Sequence, residues 1–190
     1  MVIFATALTG CASVAGVGKR VDTGGDVVVG KLAVYSFVSL HSMGSERLHR
    51  DARRLDAALA ERLAAEKVDT VVTDVDASMR RHALPVDVRV VDGQGLRRSS
   101  VLPERALLEA QRPEEIAAGA THRLVIVPVR LTLDRGTGVA HGVLRWRLEA
   151  IDDTTPVAVG LLRYTADARG YPAGRMASVL VAKLRSLGIR

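Results

Sequence analysis

The most constraining feature of this sequence is a change of hydrophobic period between residues 31 and 66. Residues 31 to 40 (KLAVYSFVSL) are apolar at nearly every position and rich in β-branched and aromatic side chains, which is typical of a strand buried on both faces. From Ser45 onward the apolar residues recur every three or four positions and form one stripe of a helix: Leu48, Ala52, Leu55, Leu59 and Leu63. This pattern predicts helices packed against a sheet.

The remaining pattern is that of one α/β domain. Beyond 31–40, strands are predicted at 70–75, 86–91, 124–133, 139–151 and 157–166. Helices are predicted at 45–66, 103–111, 113–119 and 176–187, two of them with a proline at the first position and the last ended by Gly188. We therefore predict an α/β (α+β) fold: a mixed β-sheet with a three-strand antiparallel meander and helices packed on it.

Strand alternation in the meander separates core residues from surface residues. Pro128 removes one backbone donor, which predicts an edge position or a bulge, and alternate residues of its strand are expected to share one face: Val125, Val127, Val129, Leu131 and Leu133. Alternation also places Trp146 in the core, with Arg145 and Arg147 on the opposite face. We predict that these two arginines, with Arg163 on the neighbouring strand, form a partner-binding surface.

The net charge of +6 is spread along the chain rather than concentrated on one element. Residues 46 to 66 carry five arginines against five acidic residues, so this helix is neutral overall. A protein that follows a phosphate backbone needs a basic stripe, and six aromatic residues are few for stacking bases. We expect no specific nucleic-acid partner. The alternative is a soluble basic domain that binds nucleic acid or a nucleotide.

Residues 1 to 18 contain no charged side chain and include the sole cysteine, Cys11. The tetrapeptide Leu8-Thr9-Gly10-Cys11 resembles the lipobox of bacterial lipoproteins: a branched apolar residue, two small residues and the modified cysteine. This resemblance implies export, cleavage before Cys11 and acylation of its thiol. Ala12, in place of the Asp that holds many such proteins at the inner membrane, implies the periplasmic face of the outer membrane.

A signal peptide begins with basic residues, and here Met1 leads straight into the apolar run. Either the natural start lies upstream of Met1, or the motif is accidental and residues 2 to 8 form a buried strand beside an inert core thiol at Cys11. On the lipoprotein interpretation, residues 1–10 are a signal-peptide remnant, 11–30 are the lipidated cysteine and a flexible tether, and 31–190 are a single periplasmic domain.

Two segments of that domain carry a further resemblance. Residues 31–37 (KLAVYSF) and 58–65 (ALAERLAA) resemble the first strand and first helix of the α/β domain shared by the TolB N-terminal domain, CsgG-like secretion lipoproteins and penicillin-binding-protein activator lipoproteins. Ser36 replaces the usual proline of that strand. The resemblance implies an accessory or adaptor role in the cell envelope and carries over no catalytic residue.

The sequence offers little chemistry for catalysis. It has no Gly-x-Ser-x-Gly, His-Glu-x-x-His or complete P-loop motif, and its five histidines are scattered, so we predict no metal and no cofactor. A hydrolase using Asp74 or Asp76 would need those carboxylates in a shared cleft. We expect a non-enzymatic, membrane-anchored protein that binds another envelope component or itself.

Overall fold

The computed structural model describes residues 13–21, 26–39, 46–84, 90–91, 97–98, 104–134, 136–137, 139–153, 155–166 and 171–189. Its strands are β1 (Val14–Arg20), β2 (Lys31–Ser36), β3 (Asp69–Thr73), β4 (Val90–Val91), β5 (Arg97–Arg98), β6 (His122–Leu133), β7 (Ala140–Ala150) and β8 (Pro156–Ala166). Its helices are α1 (Glu46–Ala65), α2 (Val75–Arg81), α3 (Glu104–Ala117) and α4 (Ala173–Ser186).

Six of the strands form one mixed sheet in the order β1-β8-β7-β6-β2-β3, and β4 pairs with β5 separately. Strand β2 runs parallel to both β3 and β6, because α1 and the later helices carry the chain back between them. Strand β7 runs antiparallel to both of its neighbours, β6 and β8. The predicted fold class and the antiparallel meander are confirmed.

One face of the sheet is covered by α1 and α4. The stripe predicted for α1 supplies Ala52, Leu55, Leu59 and Leu63 to this core, and α4 supplies Met176, Leu180 and Leu184. Trp146 lies here with no exposed surface, so its predicted core position is confirmed. Among the described residues, no helix is long and apolar enough to cross a membrane.

The second face of the sheet carries a smaller core. Side chains of β2, of Phe37 directly after it and of β6 pack there with residues of α2 and α3: Ala33, Tyr35, Phe37, Val75, Met79, Leu107, Leu108, Val125 and Val127. The same face of β1 lies outside this core, and Val17 in the middle of β1 is 61% exposed. The sheet therefore has one fully covered face and one that is covered mainly over its β2 and β6 side.

Residues 14–20 differ from the predicted tether. They form the edge strand β1, which pairs antiparallel with β8 from Val14 opposite Tyr164 to Arg20 opposite Ala158. The glycines that suggested flexibility have a packing role, because a Cβ at Gly16 would lie 2.7 Å from the side chain of Val179 in α4. Glycine at this position allows α4 to pack closely on the strand.

The meander also departs from simple alternation. The register between β6 and β7 shifts between Pro128 and Arg130, which confirms the bulge predicted at Pro128. The bulge exchanges the two faces of β6. As a result Val125 and Val127 contact the smaller core, whereas Leu131 packs against the core under α1 and α4. The prediction that these residues share one face is wrong.

Two helices differ from expectation. Helix α2 follows β3 directly and was not predicted; the Asp74 side chain accepts a hydrogen bond from the backbone N–H of Ala77 and caps its first turn. Helix α3 is continuous through Pro113, which was expected to start a separate helix. Buried residues on both sides of the proline, including Leu107 and Glu115, hold the two halves against the sheet.

Candidate partner-binding surface

The three arginines predicted to bind a partner lie on the same face of β7 and β8, opposite Trp146. In the antiparallel register Arg163 is opposite Val143, and Arg145 is opposite Leu161. The sheet therefore brings the three side chains onto one surface, but they do not contribute to it equally.

Two of these arginines are engaged by Glu104 at the start of α3. Arg147 donates a hydrogen bond to Glu104, and its Nε lies 2.6 Å from Glu149 Oε2. Arg145, whose side chain is 53% exposed, has its guanidinium 3.6 Å from the same Glu104 carboxylate. These contacts fasten the end of α3 to β7. Arg147 is therefore largely structural, and Arg145 is available only on its outer side.

Glu149 connects these ion pairs to a buried arginine, Arg123, which was not predicted from the sequence. Arg123 is buried at the start of β6, with its Nε 3.2 Å from Glu149 Oε1 and its Nη1 3.7 Å from Glu115 Oε2. It also donates a hydrogen bond to the backbone oxygen of Leu108 in α3. Alternation with Val125 was the available signal, since it places Arg123 on an otherwise apolar strand face. A buried arginine requires carboxylate partners.

The innermost groups of this network are Tyr35 and Glu115. Burial raises the pKa of the Glu115 carboxyl, while the Tyr35 hydroxyl and the Arg123 guanidinium lower it in part. Burial also raises the pKa of Tyr35, and the neighbouring negative charge of Glu115 adds to this effect. Because α3 and the sheet enclose these groups, the network serves to fix α3 in place.

The exposed part of the surface continues across β8 to β1. Arg163 is exposed and makes no ion pair within the described parts of the chain. Leu161 is opposite Val17 of β1, and Lys19 extends the positive charge to the edge of the sheet. The result is a small apolar patch with basic residues around it, which suits contact with an acidic protein surface.

The acidic residues considered for catalysis lie at the opposite side of the sheet. Asp56, Asp74 and Asp76 line one cleft of about 200 Å³ where β3 ends. Asp74 caps α2 and lies 3.9 Å from Arg53, while Asp76 accepts a hydrogen bond from the Ser39 hydroxyl. The carboxylates therefore share a cleft, as the hydrolase hypothesis requires, and each has a local structural role. Catalysis at this cleft stays a hypothesis.

Asp56 is the unusual member of this cleft. Burial raises the pKa of its carboxyl from 3.8 to about 6, and the nearby charges of Asp74 and Asp76 act in the same direction. Although three aspartates line this cleft, no three His, Cys, Asp or Glu side chains among the residues that the structure describes are placed so that they could hold a metal ion together. The predicted lipidation site, Cys11, and the rest of the lipobox-like motif lie outside the described residues.

Comparisons with known proteins show that this fold also occurs in other proteins of known structure. No family model and no curated protein matches the sequence. Among solved structures, the chain is similar to the PelC dodecamer from Paraburkholderia phytofirmans, with a TM-score of 0.50, 11% identity and coverage of 93% of this chain and 100% of that one. It is also similar to the lipoprotein GNA1162 from Neisseria meningitidis, with a TM-score of 0.43 and 12% identity; the match covers 83% of this chain and 97% of that one. At these identities, the likeness to PelC shows a common fold.

Proposed function

We propose that this chain is a non-catalytic accessory protein of the cell envelope, anchored by acylated Cys11 at the periplasmic face of the outer membrane, and that it works by self-association. The observation that carries the proposal is the lipobox-like motif directly ahead of the sheet. Cys11 lies three residues before Val14, where β1 begins. Three residues of extended chain span about 10 Å, so an acylated Cys11 holds this end of the sheet next to the membrane.

Self-association is supported by two features. PelC is described as a dodecamer, and this chain has the same fold over 93% of its length. In addition, the sheet presents Val17 and the basic residues around it on the β1 and β8 side of its second face, outside the smaller core that α2 and α3 form over β2 and β6. Attachment to a membrane raises the local concentration of the protein, which favours association between copies through such an exposed apolar and charged surface.

The first experiment measures the intact mass of the membrane-extracted protein, expressed from its gene with the upstream sequence. We expect a chain that begins at Cys11 and carries an acylated glyceryl group. The Cys11→Ala variant should lose the modification and leave the membrane fraction, whereas the matched Ala12→Ser variant should keep both. An unmodified chain that retains residues 1 to 10 would overturn the anchoring.

Localisation and assembly need separate measurements. Ala12→Asp should move the protein from the outer to the inner membrane in a density gradient, because Asp after the acylated cysteine is the retention signal in lipoproteins of this kind. Light scattering of the detergent-extracted protein measures assembly, and we expect a multiple of the monomer mass. A monomer at all concentrations would contradict self-association without affecting the anchor.

A further inference from the structure

We propose that copies of this chain join head to tail through the two edges of the sheet, with β1 of one copy antiparallel to β3 of the next. This inference rests on the self-association proposed above and names its interface. Within the described residues, β1 pairs only with β8 and β3 pairs only with β2. Each edge therefore presents a row of backbone donors and acceptors, which is a template for another strand.

The backbone of β1 shows which of its groups point outward. At its two ends, Thr165 donates a hydrogen bond to Ser13 and Val21 donates one to Val157. Backbone direction alternates along an antiparallel strand, so the odd-numbered residues face β8 and the even-numbered ones face away. Gly16 and Gly18 consequently direct their N–H and C=O groups toward the edge of the sheet that β8 does not occupy.

The direction of the two edge strands allows a closed ring. Following the sheet from β1 to β3, the chain direction reverses three times, so β1 and β3 are antiparallel. Rotation about an axis parallel to the strands leaves the direction of every strand unchanged. In a ring of copies related by such rotations, β3 of one copy can therefore lie beside β1 of the next and run antiparallel to it. All copies keep the same orientation toward a membrane, as the Cys11 anchor requires.

The side chains of the two edges match in one register. Val17 and Val71 lie at the middle of β1 and β3 on the same face of the sheet, and they are 61% and 41% exposed. Placing them opposite each other puts Lys19 of one copy opposite Asp69 of the next. The Asp69 side chain is 68% exposed, and its ion pair among the described residues is a 3.7 Å contact with Lys31. An apolar pair beside an opposite-charge pair stabilises cross-strand association.

Charge reversal tests this register. Lys19→Glu places Glu against Asp69, and Asp69→Lys places Lys against Lys19, so each variant alone should associate about ten-fold more weakly than the wild-type protein. An equimolar mixture of the two should recover assembly, because every β1–β3 contact between unlike copies again pairs opposite charges. Recovery by mixing also shows that both variants are folded.

Matched controls come from Arg105 and Glu109, an exposed pair on α3 with a 2.9 Å contact. Arg105→Glu and Glu109→Lys change the net charge by the same amounts but lie away from both edges, so they should assemble like the wild-type protein. If Lys19→Glu and Asp69→Lys also assemble normally, the edge pairing is overturned while self-association stands. If the wild-type protein is monomeric, the proposed function and this inference fail together.

Cross-linking gives a direct readout of the contact. Val17→Cys and Val71→Cys in separate copies should form a disulfide between chains, because directly opposite residues of paired strands have the required separation. Within one chain the two positions are five strand spacings apart, about 24 Å, which excludes an internal disulfide. Thr70→Cys in place of Val71→Cys projects from the other face and should cross-link poorly. Equal cross-linking of both would contradict the register.

Discussion

The indole ring of Trp146 lies against Gly18 of the edge strand: a Cβ at Gly18 would come within 2.5 Å of Trp146 Cζ2. A Cβ at Gly160, on the intervening strand β8, would clash with the same ring. The ring therefore extends from β7 across β8 to β1, and glycine is needed at both positions beneath it. The attachment of β1 to the sheet depends on this contact as well as on its hydrogen bonds to β8.

We expect Gly18→Ala to destabilise the protein by about 1 to 3 kcal/mol, because the added methyl group displaces a fully buried indole. Gly174→Ala is the matched control. A Cβ at Gly174 has nothing within 4 Å, and alanine favours the helix, so this variant should be as stable as the wild-type protein or slightly more stable. Urea unfolding monitored by Trp146 fluorescence measures both. Equal stability of the two variants would contradict the packing role of Gly18.

This contact also explains why β1 escaped sequence-based prediction. Glycine is unfavourable in strands, so residues 14 to 20 resembled a linker, and the bulky partner that requires those glycines is more than 120 residues away in the sequence. By contrast, β2 and α1 could be predicted because their buried residues recur with a regular local period. Long-range packing requirements leave no such local signal.

The buried network around Arg123 leads to a second prediction. Arg123→Met should destabilise the fold by about 3 to 5 kcal/mol, because it leaves the Glu115 carboxylate buried without its cation and leaves Glu149 paired with Arg147 alone. Adding Glu115→Gln and Glu149→Gln should restore part of this loss, since neutral amides need no counter-charge. Arg145→Met, in the exposed part of the same network, should cost less than about 1 kcal/mol.

Thermal unfolding of these variants measures how much of the lost stability comes from the unpaired carboxylates and how much comes from the lost packing of the Arg123 side chain. If Arg123→Met alone were harmless, or if the two Gln substitutions restored nothing, the network would not hold α3 on the sheet.

The sequence could not reveal this network, because its members come from α3, β6 and β7 and only the fold brings them together. Strand alternation correctly placed Arg145, Arg147 and Arg163 on one face, but it could not show that Glu104 engages two of them. That this face binds a partner stays a prediction.

Asp56 provides a prediction about pH. Its pKa is raised from 3.8 to about 6 in the folded protein, mainly by burial. Between these values the folded protein retains a proton that the unfolded chain releases, so the free energy of unfolding falls as the pH rises. The stabilisation associated with Asp56 is complete below pH 3.8 and is lost above about pH 6.

Asp56→Asn replaces the buried carboxyl with a neutral group of the same shape and should remove this dependence. We expect the variant to match the wild-type protein near pH 4 and to be more stable above pH 6 by about 2 to 3 kcal/mol. Glu61→Gln, on the exposed face of α1, is the control and should follow the wild-type curve. Urea unfolding at half-unit pH intervals provides the comparison. A stability difference for Asp56→Asn that is the same at every pH would mean that the Asp56 carboxyl titrates normally, and that its charge is solvated in the cleft beside Asp74 and Asp76.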